Sequence, residues 1–263
     1  MSSIVTDRGL VHYETVGRGR PVILLHGWLE SWAHWLGTME SLSRDYKAYA
    51  LDFWGFGESG KQSGSFSVKD YIEMVDQFME RLGIERAPII GHSMGGTVSL
   101  GVAMDHPGRV EKVAVVGSPI VGDGLALFLR LAARRSLASI AYRVPGAIPL
   151  GVRLFSPLLA RDWKSWYQTF ERDLSRTTME SFHYSIASLR RTDLRPRLKE
   201  IKVPVLGIYG CADRIVDPGQ ADVLAQALPT SQVYKFEYSG HFPMADEPER
   251  FYQVLKQFLD NNR

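Results

Sequence analysis

The stretch Gly91-His92-Ser93-Met94-Gly95-Gly96 constrains this chain more than any other. It follows a short apolar run, residues 87–90, and precedes a helix-like stretch, residues 97–106, closed by Pro107 and Gly108. A serine at a sharp strand-to-helix turn is pushed into a strained backbone conformation with its hydroxyl exposed. Gly91 and Gly95 lie two residues either side, where side chains would collide as strand and helix close up. The hydroxyl then sits at a helix N-terminus, where N–H groups and the dipole favour developing negative charge. The motif alone is short. What else the chain contains decides between a structural turn and a nucleophile.

The rest of the pattern is alternating. Residues 10–16 read as a strand paired with residues 3–5. Residues 22–25 are a continuous apolar run, as in a strand buried on both faces. Residues 46–51 form the next strand and lead into Asp52-Phe53-Trp54-Gly55-Phe56-Gly57-Glu58-Ser59. This glycine-rich loop lacks the Lys-Ser/Thr ending of a phosphate cradle, and Asp52 reads as a structural hydrogen-bond acceptor. Ser67 and Asp70 form a capping box for a helix that Gly83 ends. Residues 110–116 are another buried strand, ending at Gly117-Ser118-Pro119. Strands and helices in alternation imply a parallel sheet with helices on both faces. From 120 to 195 the strand signal disappears, and Pro145, Pro149 and Pro157 are expected to cut that segment into several helices. The core pattern resumes with strands at 203–209 and 232–236 and helices at 218–228 and 248–259.

Two strand ends carry chemistry that completes the serine. One runs into Gly210-Cys211-Ala212-Asp213, the other into Ser239-Gly240-His241-Phe242. Reactive groups in open α/β sheets gather beyond the carboxyl ends of the strands. Ser93, Asp213 and His241 all sit there, in the chain order Ser, Asp, His. His241 can take the serine proton, and Asp213 can hold the imidazole tautomer and offset its charge. Asp217 is a nearby rival for Asp213. Acyl transfer also needs two N–H donors for the oxyanion. Met94 N–H follows the serine, and Trp28 N–H lies in the loop His26-Gly27-Trp28 after the 22–25 strand. Cys211, the single cysteine, reads as a small buried residue and permits no intramolecular disulfide, which fits a reducing compartment.

These motifs together resemble the α/β-hydrolase superfamily. They are His26-Gly27-Trp28, Asp52-x-x-Gly55-x-Gly57-x-Ser59, Gly91-His92-Ser93-Met94-Gly95-Gly96, Gly210-x-x-Asp213 and Gly240-His241-Phe242-Pro243. The resemblance is to the compact capped group of esterases, cofactor-free haloperoxidases, epoxide hydrolases and carbon–carbon bond hydrolases. It implies an α/β-hydrolase fold with an eight-stranded, mostly parallel sheet and a helical cap inserted after the sixth strand. The core domain would comprise residues 1–119 and 196–263, and the cap residues 120–195. Serine at 93 argues against epoxide hydrolases and haloalkane dehalogenases, which carry aspartate at the elbow. The aminopeptidase branch usually has Trp where Met94 stands. Carbon–carbon hydrolases share Ser-Met-Gly-Gly, although they commonly carry Trp soon after the histidine, where Phe242, Pro243 and Met244 follow here.

The expectation is a serine hydrolase of carboxylic esters, working through an acyl-enzyme, with no metal and no organic cofactor. The alternatives are a carbon–carbon bond hydrolase and a hydrolase-fold ligand sensor with slow turnover. The substrate is expected to be a small apolar ester. His92, Trp163, Trp166, Phe170 and Phe242 are candidate pocket residues; Trp163, Trp166 and Phe170 share one helical face. Net charge is +2, so no nucleic-acid partner follows from the total. The charge is uneven: twelve Arg and Lys against six Asp and Glu give residues 120–195 a net +6. A solvated outer face explains this; a lid meeting anionic lipid is the alternative. The N-terminus shows no basic-then-apolar secretory pattern, and no apolar run approaches a membrane span, so a cytoplasmic protein is expected.

Overall fold

The computed structural model describes residues 2–61, 66–134 and 146–261. Eight strands form one sheet: β1 (Ser2–Thr6), β2 (Gly9–Gly17), β3 (Arg20–Leu25), β4 (Tyr46–Leu51), β5 (Ala87–His92), β6 (Val110–Val116), β7 (Val205–Gly210) and β8 (Gln232–Phe236). Their spatial order is β1-β2-β4-β3-β5-β6-β7-β8. β2 pairs antiparallel with β1 and β4, and every other pairing is parallel. β3 and β5 lie side by side near the middle of the sheet, with Leu25 in register with Gly91. The two loops expected to frame the reaction therefore leave the sheet next to each other. This order reverses direction at β3, where α/β sheets open a crevice.

Ten α-helices are described: α1 (Leu36–Leu42), α2 (Val68–Arg81), α3 (Met94–Asp105), α4 (Leu127–Ala132), α5 (Ala147–Leu159), α6 (Trp163–Ser175), α7 (Met179–Arg191), α8 (Gln220–Ala227), α9 (Pro243–Asp246) and α10 (Pro248–Asp260). α2 and α10 each bury one apolar stripe, the pattern of helices laid on a sheet. α2 opens with the capping box read from Ser67 and Asp70, both halves of which are made. α3 is buried from Met94 to Met104, and its apolar residues run all round the helix. That is the composition of a helix enclosed on every side, here between the sheet and α2. Apolar side chains on both sheet faces form two clusters.

The helices α4 to α7 lie between β6 and β7, where strand patterning lapses; Val121 and Leu125 make only isolated bridges to Asp193 and Val216. Two expectations need correction. Pro157 does not cut a helix, because it sits inside α5, near enough to the end for the helix to absorb it. Pro149 lies in the first turn of the same helix, where a missing N–H costs little. Pro145 falls outside the described residues, as do Arg135 and Arg143. Cys211 is exposed rather than buried, since its loop has already left the sheet. α1 was not legible in the sequence; it is only seven residues long and buries Thr38, Met39 and Leu42. No described helix is long and apolar enough to cross a membrane.

Candidate active site

Ser93 stands at the turn between β5 and α3 with φ 50° and ψ −118°. Its N–H donates to Val116 O at 2.8 Å, which ties the turn to β6. A Cβ on Gly91 would run into the Gly95 carbonyl, and one on Gly95 into the Leu25 carbonyl. The turn closes only because both are glycine. Among the described residues, Ser93 and Leu29 alone are non-glycines with positive φ. Each adjoins an expected oxyanion donor: Met94 follows Ser93, and Trp28 precedes Leu29. Backbone strain of this kind persists where the surrounding structure over-determines it.

Asp213 and His241 meet beyond the ends of β7 and β8. His241 Nδ1 lies 2.7 Å from Asp213 Oδ2, and both side chains are buried. The other Asp213 oxygen accepts from Ile215 N at 2.8 Å and Val216 N at 2.9 Å. The carboxylate is thus fixed by two backbone N–H groups besides the imidazole. Asp217, the rival, is exposed and accepts from Gly219 N at 2.8 Å. It caps a turn.

Behind these residues lies a polar chain that sequence reasoning did not find. Gly27 N–H donates to Glu30 Oε2 at 2.7 Å, and the same oxygen lies 3.0 Å from His92 Nδ1. His92 Nε2 in turn lies 2.9 Å from the His241 carbonyl. A carbonyl can only accept, so Nε2 carries a proton. With a carboxylate at the other nitrogen, His92 is an imidazolium. Burial opposes that charge, but Glu30 outweighs it by its charge and hydrogen bond, and the His92 pKa is raised. Burial likewise opposes ionisation of Glu30, yet His34, His92 and Gly27 N–H together hold its pKa well below the ordinary value. Nothing in the sequence motif marks Glu30 beyond an acid in an otherwise apolar loop.

His26 does related work. Phe53 N–H donates to His26 Nε2 at 2.9 Å, leaving Nδ1 to donate to Gly27 O at 2.7 Å. Burial lowers its pKa to about 4, so it is neutral and clamps the β3 loop to the β4 loop. Asp52 completes that clamp as expected, accepting from Trp32 N at 2.7 Å and Glu58 N at 2.9 Å. His34 stacks on His92 with ring centroids 4.8 Å apart, and burial lowers its pKa to about 4. Donor atoms of Glu30, His34 and His92 lie within 4.8 Å of one another, the only such trio among the described residues. The pairing of Glu30 with the His92 imidazolium accounts for two of the three; His34 Nε2 lies 3.9 Å from Glu30 Oε2, buried and without a hydrogen-bond partner among the described residues.

A cavity with about 1040 Å³ of empty space, part of it open to solvent, lies above this framework. Ser93 and His241 line it, together with Trp28, Trp166, Phe170 and Phe242. Trp166 and Phe170 stack at 5.4 Å, and Trp166 meets Phe242 at 5.8 Å. Two candidate pocket residues are not in its wall. His92 is fully buried beneath it, drawn down by Glu30, and Trp163 is half-buried at the start of α6, one turn short of the cavity. Half of the lining residues are apolar side chains from α4 to α7. Trp28 Nε1 donates to Phe182 O at 3.1 Å and Ser31 Oγ to Asp173 Oδ2 at 3.1 Å, so the insertion is fastened to the β3 loop.

The arrangement has counterparts among known proteins. A pimeloyl-(acyl-carrier protein) methyl ester esterase of Vibrio parahaemolyticus is 29% identical over 269 residues, spanning 95% of this chain and 98% of its own. The crystal structure of a hydrolase from Pseudomonas aeruginosa PA01 superposes with TM-score 0.87 at 21% identity, covering 99% of this chain and 98% of that one. The enol-lactonase from Burkholderia xenovorans LB400 does so with TM-score 0.85 at 22% identity, covering 99% and 100%. A family model described as alpha/beta hydrolase fold matches residues 20–248, most of the chain, in keeping with the eight-stranded, mostly parallel sheet. The chain is a member of the alpha/beta hydrolase family.

Proposed function

We propose that this hydrolase cleaves carboxylic esters through an acyl-enzyme formed on Ser93. The observation that carries the reading is the His241–Asp213 contact of 2.7 Å, made beside a cavity that His241 shares with Ser93. His241 Nε2 takes the Ser93 proton as the hydroxyl attacks the ester carbonyl. Asp213 holds Nδ1–H and offsets the imidazolium that forms. The negative oxygen of the tetrahedral intermediate is held by Met94 N–H and Trp28 N–H. Its collapse expels the alcohol, which takes the proton from His241. Water then repeats the sequence on the acyl-enzyme and releases the acid.

The inserted helices act as a cap over residues 120–195, and their apolar wall selects the substrate. Trp166, Phe170 and Phe182 suit an acyl chain. The relative from Vibrio, by its name, acts on the methyl ester of a carrier-bound acyl group. A small alcohol on an apolar acyl chain fits the same description. Turnover of p-nitrophenyl esters of graded chain length tests the proposal, with Ser93→Ala as control. Rapid turnover that Ser93→Ala removes is expected. Stoichiometric labelling with slow release would instead make the protein a sensor, and no reaction with any ester would overturn the reading.

A further inference from the structure

Helices α4 and α5 are apolar on two sides. Toward the cavity, Phe128 (itself 49% exposed) and Ala132 of α4 and Ile148 and Val152 of α5 contribute to its lining, each pair four residues apart. On the outer side, Leu127 and Leu131 of α4 are 66% and 37% exposed, and Leu150 and Leu154 of α5 are 60% and 69% exposed. These pairs are also four residues apart, so each makes a stripe along its helix. A helix on a protein surface ordinarily has one apolar stripe and turns polar groups to water. Here the outward stripes are leucine, and isolated exposure does not account for two such pairs on two cavity-lining helices. The solvated outer face expected from sequence is, on these two helices, a face of leucines as well as of charges.

The charge around them is positive. Arg134 lies two residues beyond the end of α4, Arg153 lies between Leu150 and Leu154 in the chain, and both are exposed. The segment 120–195 carries +6 in a chain of +2, which leaves −4 on the remainder. We propose that the outer faces of α4 and α5 seat this protein on an anionic lipid surface. The leucines enter the acyl region, and the arginines extend to the headgroup phosphates. A helix is about 10 Å across, so lipid on one side of α4 and α5 lies one helix thickness from the cavity on the other. A lipid surface suits the leucines because it needs no matching shape. A second copy of the chain would set +6 against +6, and a like-charged juxtaposition is costly.

The surface is independent of the hydrolase chemistry, and vesicle co-sedimentation of the full chain tests it. Vesicles of phosphatidylcholine with phosphatidylglycerol should bind the protein at least tenfold more tightly than phosphatidylcholine alone, and binding should weaken as salt screens the charge. Leu150→Asp with Leu154→Asp should reduce binding at least tenfold, and so should Leu127→Ser with Leu131→Ser. None of these four residues except through its helix approaches the cavity, so turnover of a water-soluble acetate ester should be unchanged in both variants. Absence of binding by the wild type overturns the proposal, as does equal binding by the variants. A wild-type dimer that the leucine variants convert to monomer overturns it in favour of self-association, and capture of an acidic carrier protein that both leucine variants lose, with no vesicle binding by the wild type, overturns it in favour of a protein partner. Lipid binding by a protein without esterase activity would leave this surface standing and remove only the proposed function.

Discussion

Glu30 and His92 form a buried ion pair, Oε2 to Nδ1 at 3.0 Å, that joins three loops of the site. Through Gly27 N–H, Glu30 holds the loop that presents Trp28. Through Nε2–H, His92 holds the carbonyl of His241. The β3 loop, the serine turn and the histidine loop are thus set against one another by two side chains, His92 fully buried and Glu30 at the edge of the cavity. Glu30→Gln keeps the shape and removes the charge. It should cost about 3 kcal/mol of stability, the low end for breaking a buried pair. It should also lower kcat tenfold or more, on the order of what a slight misplacement costs. Denaturant melts and ester kinetics check both, and unchanged values in both would show that the pair positions nothing.

The same pair sets a pH signature. The His92 pKa is raised above 6.5, so its contribution is complete below about pH 6.5 and is lost as the pH rises through the folded-state value. The Glu30 pKa is lowered below 4.5, so its contribution is complete above about pH 4.5 and is lost as the pH falls through the folded-state value. The stability difference between wild type and Glu30→Gln should therefore be largest between these limits and should shrink on the alkaline side. Asp52, which burial raises to about 7, titrates in both proteins and cancels. Urea melts from pH 4 to 9 measure this; a difference that grows toward pH 9 would contradict it.

Asp213→Asn should lower kcat on the order of 10⁴-fold, because the imidazole loses its orienting carboxylate. Asp217→Asn should change kcat little, since that side chain serves its own turn. Steady-state kinetics on one short ester compare the two. Reversed results would move the acid role to Asp217.

Trp166 forms part of the cavity wall between Phe170 and Phe242. Trp166→Ala should raise KM for octanoate esters more than for acetate esters, because each buried methylene contributes about 0.8 kcal/mol. An equal change for both lengths would mean that the acyl chain lies elsewhere.

Gly95 packs its Cα against the end of β3, and a Cβ there would meet the Leu25 backbone. Backbone cannot rotate out of the way as a side chain can, so Gly95→Ala should destabilise by about 3 kcal/mol or more. It should also reduce activity, because the displaced turn carries Ser93. A normal melting temperature with full activity would show that the turn has slack.

The strand-end chemistry was legible in the sequence because it is local. Gly91, Ser93 and Gly95 are set by one turn, and Asp213 and His241 each follow a strand whose apolar run marks its end. Period and punctuation alone order such elements, and the buried strands β3, β5, β6 and β7 were found from continuous apolar runs. The sequence favoured Asp213 over Asp217 by its place at the strand end, but which carboxylate meets His241 depends on how the chain turns after β7, within four residues. Nor could it find Glu30, whose ion-pair partner His92 lies 62 residues away on β5, or separate the buried from the bare leucines of α4 and α5. Helical spacing reports that a face is apolar, not what stands opposite it. Only tertiary structure brings Trp166 to the cavity, leaves Trp163 aside, and turns Leu150 and Leu154 outward, because burial is a property of the neighbours that packing supplies.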